Sequence, residues 1–170
     1  MQWTLSGATS AEMYGRAWRR TERDQGVVVL VSGAVGHGKT QVMCAFAERV
    51  KESGCLLAYG RGSRTEIDFP WGVVRQIFSG ADFAESEIDI KNLLGGGVST
   101  PEVLDGLARM LFGVMENRRG VIFLDDAQHL DELSRDFLFY LARRSHAASL
   151  TLVIGWQEGL LSARAWKPIG

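Results

Sequence analysis

Short, wholly apolar runs alternate along the chain with longer segments in which apolar residues recur at helical spacing. Four runs read as strands: Val27 to Val31, Cys55 to Tyr59, Val121 to Leu124 and Leu150 to Ile154. Each is apolar throughout, as strands covered by helices on both faces must be. After Lys39, the residues Val42, Met43, Phe46 and Val50 share one helical face. The pattern predicts a second helix from Thr100, whose hydroxyl can cap, with Pro101 in the first turn where a missing N–H costs nothing. Val103, Leu104, Leu107, Ala108, Leu111, Phe112 and Met115 then keep the period. A third helix is expected from Glu132 to Arg144, burying Leu133, Phe137, Leu138 and Leu141. Residues 60–99 are less regular, with a short helix expected after Pro70 and a turn at Gly95-Gly96-Gly97.

This order of elements is that of a three-layer α/β/α domain around a mostly parallel sheet. Its expected extent is residues 26–160, with an amino-terminal extension over 1–25 and a tail over 161–170. A chain of 170 residues is long enough for one domain with a real core. Its formal net charge of −1 offers no electrostatic footprint for a phosphate backbone, so direct nucleic-acid binding is not expected. No apolar run approaches the roughly 20 residues that span a bilayer, and no basic start precedes an apolar core. A cytoplasmic location without membrane attachment is therefore expected. Cys44 and Cys55 read as small buried hydrophobes rather than a disulfide or a metal pair.

The segment GAVGHGKT, Gly33 to Thr40, fulfils the pattern G-x-x-x-x-G-K-[ST] between a β-branched strand and a helix. Glycines let the main chain curl so that successive N–H groups face an anion, and the helix that follows adds the positive end of its dipole. The expected nucleotide-binding residues are Gly33, Ala34, Val35, Gly36, His37, Gly38, Lys39, Thr40 and Gln41. Lys39 would reach the β- and γ-phosphates of ATP, and the hydroxyl of Thr40 would hold Mg²⁺. His37 contributes its amide, and its side chain is given no catalytic role. The bland alternative is a glycine turn with a solvated lysine.

VIFLDDAQHLD, Val121 to Asp131, supplies the acidic partner such a loop needs. A strand ending in an acid brings a carboxylate to the carboxyl edge of an open sheet, where ligands bind. Asp125 is expected to hold Mg²⁺, and Asp126 to orient or deprotonate the attacking water. Alternatively, the two aspartates merely begin the next helix, where acids suit the dipole. Asp126 is one methylene shorter than a glutamate base, so slow hydrolysis is expected. For His129, indirect sensing of the γ-phosphate is one reading, and for Asp131 capping of the next helix is favoured.

VVVLVSGAVGHGKT, TEIDFPWGVVRQIF and VIFLDDAQHLDELSRDFLFYLARR together resemble the nucleotide-binding module of the large ATP-binding LuxR-type transcriptional regulators of actinomycetes. These regulators belong to the STAND branch of AAA+-like P-loop ATPases. The resemblance covers roughly residues 26 to 155 and implies a switch that changes state with bound ATP or ADP. It further implies a fifth core strand beside the loop strand, which would follow residue 170. The chain is thus expected to be a truncated regulator, an excised fragment or a degenerate short relative lacking that strand, with Val27 to Val31 at an exposed edge. Such an edge invites a second copy, or the regulator domains absent from the chain. Gln157 lies where relatives carry a polar sensor after the fourth strand. Two other functions stay open: a small phosphotransferase, with Arg61, Arg64, Arg143 and Arg144 as candidate lid residues, and a nucleotide-binding or oligomerisation module that no longer hydrolyses.

Overall fold

Helices on both faces of a parallel sheet bury both sets of alternating side chains on each strand, which is why the runs are apolar but for the buried Thr151. The computed structural model describes residues 2–5, 19, 26–33, 47–116 and 118–157. Within them β1 (Gln2–Leu5), β2 (Val27–Gly33), β3 (Leu56–Arg61), β4 (Gly120–Asp125) and β5 (Leu150–Gln157) form a sheet in the order β1-β2-β5-β4-β3. Every neighbouring pair is parallel. The helices are α1 (Gly72–Ile77), α2 (Glu87–Leu94), α3 (Pro101–Met115) and α4 (Glu132–Arg144), and residues 47–52 are helical before β3. This is the α/β architecture of a P-loop NTPase.

The alternation sorts the core into two layers. Val28 and Leu30 of β2, Ile122 and Leu124 of β4, and Leu152 and Ile154 of β5 pack with Val74, Leu107, Leu111, Phe137 and Leu141 from the helices. Their neighbours Val27, Val29, Val31, Val121, Phe123 and Val153 pack on the opposite face with Val50. Cys55 is buried in that second layer as a free thiol, as expected, whereas Cys44 lies outside the described residues.

Helix α3 starts where the pattern places it, with Thr100 Oγ1 accepting from Val103 N at 3.3 Å. The third predicted helix coincides with α4. The helix expected after Pro70 is α1, with Trp71, Val74 and Ile77 buried. The 3₁₀ turn Ala81–Ser86 and α2 are additions, too short for a period to show. Strands β2, β3, β4 and β5 run past their apolar runs to Gly33, Arg61, Asp125 and Gln157, because ladder pairing is made by the main chain and tolerates glycine or arginine at an end.

One expectation is corrected. The four strands read from the sequence form the parallel core, but the place beside β2 is filled, not empty. Gln2, Trp3, Thr4 and Leu5 pair with Val28, Val29, Leu30 and Val31, so β2 has partners on both sides rather than an open edge. An edge strand's N–H and C=O groups accept whichever segment reaches them. Four residues without an apolar run carry no signal that they will do so.

Candidate functional site

In an all-parallel sheet the carboxyl ends of the strands share one edge, and the candidate residues gather there. Gly33 ends β2 and pairs with Gln157, the end of β5; Asp125 ends β4 and pairs with Arg61, the end of β3. Only β5 separates β2 from β4. Two strand spacings put Gly33 and Asp125 on lines about 10 Å apart, room for a triphosphate and a cation. Ala34, Val35, Gly36, His37, Gly38, Lys39, Thr40 and Gln41 lie outside the described residues.

Asp125 is half-buried, and its Oδ1 accepts from the N–H of Asp126 at 3.0 Å. Asp126 sits in the left-handed region at φ 52, which aspartate tolerates better than most residues. The main chain then makes the 3₁₀ turn Ala127–His129, toward which Asp126 makes no side-chain capping bond. Helix α4 is capped instead by Asp131, whose Oδ1 accepts from Ser134 N at 2.9 Å. The acids after β4 therefore do different work: Asp131 starts the helix, and Asp125 and Asp126 stay at the edge.

Asp126 is not free in this arrangement. Arg61 Nε and Nη2 both donate to its Oδ2, at 3.0 and 2.9 Å, and Gln128 Nε2 donates to Oδ1 at 3.2 Å. The hydrogen bonds that Arg61 donates to Asp126, then the charge of Asp126 and that of Asp125, hold the Arg61 guanidinium above its ordinary pKa. Helix α1 locks the main chain of Arg61: its N–H donates to Gln76 Oε1 at 2.9 Å, and Gln76 Nε2 donates to its carbonyl at 3.1 Å. Next in sequence, Gly62 N donates to Asp125 O at 3.0 Å. A Cβ on Gly62 would stand 2.4 Å from Asp126 O, so only glycine permits this approach.

Asp131 does more than cap. Its carboxylate is buried and also accepts from Trp71 N at 3.0 Å and Val73 N at 3.3 Å, while Ser134 Oγ accepts from Val74 N at 3.1 Å. These bonds fix the start of α1, including Trp71 at φ 62, against α4. His129 accepts at Nε2 from Arg64 Nε, 3.1 Å away, which is where its side chain is engaged.

Arg61 was singled out only as a candidate lid residue; its bond to Asp126, the part of Gln76 and the Asp131–Trp71 linkage carried no usable signal in the sequence, since they depend on chain separations of 15 to 65 residues. The Arg61 side chain follows from β3 ending one register position opposite Asp125. Arg143 and Arg144 end α4, which returns toward the amino edge before β5, so they lie at the far end from Asp125. Arg144 stacks on Tyr140 at 3.6 Å.

Asp125 offers oxygen to a hard cation. Among the described residues no group of three His, Cys, Asp or Glu side chains could hold a metal. A single carboxylate such as that of Asp125 is the kind of ligand Mg²⁺ commonly takes, completing its shell with phosphate and water. Among the same residues no helix is long and apolar enough to cross a membrane.

No curated protein matches the chain. A family model described as an AAA ATPase domain matches residues 15–154, from ahead of β2 to the interior of β5. With most of its length matched and its strands ordered around one carboxyl edge, the chain belongs to the AAA ATPase domain family and is an ATPase-type nucleotide-binding module.

Proposed function

We propose that the chain is the ATP- and Mg²⁺-dependent switch module of a LuxR-type transcriptional regulator, hydrolysing ATP slowly. The observation that carries this reading is the common edge of Gly33 and Asp125, two strands apart, in a chain matched to the AAA ATPase domain. Lys39 would bind the β- and γ-phosphates, Thr40 and Asp125 would hold Mg²⁺, and Asp126 would orient the attacking water. Bound Mg²⁺ would supply positive charge to the phosphate oxygens. Slow turnover has support in the grip of Arg61 on Asp126 Oδ2, which occupies an oxygen that a water would need. DNA recognition, in this reading, belongs to other parts of the regulator.

A fluorescent ATP analogue titrated with and without Mg²⁺ into the parent, Lys39→Ala and Asp125→Asn proteins tests the site. Binding should be lost in the lysine variant, and only its Mg²⁺-dependent part in the aspartate variant. Equal affinity in all three would remove the basis for the assignment. Phosphate release from the same samples measures turnover, and brisk hydrolysis by the parent would contradict the slow switch.

A further inference from the structure

A cavity of ≈ 630 Å³ opens beside Asp126, lined by Arg61, Ser63, Arg64 and His129 together with the carboxylates of Asp126 and Glu66. Its size suits a small ligand. Two guanidinium groups share it, and neither is committed to a buried partner. Arg61 spends two N–H donors on one oxygen of Asp126. Arg64 gives Nε to His129 Nε2, and its terminal nitrogens bond none of the described residues. Each guanidinium has five N–H donors in a planar fork that matches a carboxylate or phosphate edge.

The Arg61–Asp126 pair is itself an internal version of such recognition. The Arg61 side chain is 62% exposed, and exposed pairs exchange partners at small cost in water. Its main chain, by contrast, is fixed on both sides by Gln76. A competing anion would therefore move the guanidinium without displacing the strand. Ser63 and His129 add short polar groups on the cavity wall.

We propose that this cavity binds a small oxyanion, carboxylate or phosphate, through Arg61 and Arg64, and that binding draws Arg61 off Asp126 and frees that carboxylate for hydrolysis. The second half rests on the role given above to Asp126; the binding half does not. Ligand occupancy would then set the rate at which the switch resets.

Side-chain ¹⁵N spectra of the arginine Nε–H groups test binding directly. Succinate, then inorganic phosphate, is titrated into the nucleotide-free parent and the Lys39→Ala protein at matched ionic strength, with Arg61→Lys and Arg64→Ala used for assignment. Saturating shifts confined to Arg61 and Arg64, equal in parent and Lys39→Ala, are expected, with affinity about tenfold weaker in Arg64→Ala. Preference between the two probes identifies the anion class. Uniform, non-saturating shifts reproduced by sodium chloride overturn the site, and phosphate shifts that vanish in Lys39→Ala assign phosphate to the glycine loop instead. For the release step, saturating succinate should raise ATP turnover about tenfold in the parent, with the concentration giving half that rise about tenfold higher in Arg64→Ala; binding without that rise overturns release. Failure of the parent to bind ATP would strike the switch reading alone, since the arginine titration needs no nucleotide.

Discussion

Two connections join the stretch from Arg61 to Ile77 to the segment after β4, and they are made of opposite materials. In the interior, the Asp131 carboxylate, 3% exposed, takes three main-chain N–H groups, and Ser134 takes a fourth. At the rim, Arg61 meets Asp126 and Arg64 meets His129 in the open. Amide donors cannot swing away and no water competes inside, so the first connection is permanent. Guanidinium groups on flexible stems in water can trade partners, so the second is adjustable. The fold is fastened at one place and left responsive at another on the same two segments.

Asp131→Ala breaks the interior connection and should show the largest effect. Stranding three buried donors costs about 3 kcal/mol or more, and thermal denaturation should fall by on the order of 10 °C. Gly62→Ala attacks the rim from its main chain: with a Cβ placed 2.4 Å from Asp126 O, the turn must shift, at about 2 kcal/mol. That variant should also lose ATP turnover, because Asp126 moves with the turn. Ser134→Ala leaves Val74 N–H unpaired and should cost about 1 kcal/mol in urea unfolding. Arg61→Gln comes last, changing stability by less than about 1 kcal/mol while altering turnover. Added salt sharpens the contrast: the Arg61 contribution should fade at high ionic strength, and the Asp131 contribution should not.

The buried skeleton was legible because burial leaves a period. Leu107, Leu111 and Met115 announce α3, and the wholly apolar run Val121 to Leu124 announces β4 and, by its end, Asp125. Thr100 and Asp131 announce helix starts through local bonds spanning three residues. What escaped were contacts between distant segments. Nothing near Asp126 says that Arg61 will reach it, because that depends on the parallel register Arg61↔Asp125. Likewise the Asp131 carboxylate reads as a cap, and its two further bonds to Trp71 and Val73 arise only once α1 docks. β1 escaped for another reason: a strand of four residues pairs through its main chain, which every sequence possesses.

The sheet order also dictates when the domain can become whole. β2 and β4 never touch as neighbours; β5, the last described strand, is inserted between them. As the polypeptide emerges from the ribosome, β1 with β2 and β3 with β4 can form only as two separate ribbons. The keystone arrives with Leu150–Gln157, and a nascent chain stopped before it would display two unjoined halves to chaperones and proteases.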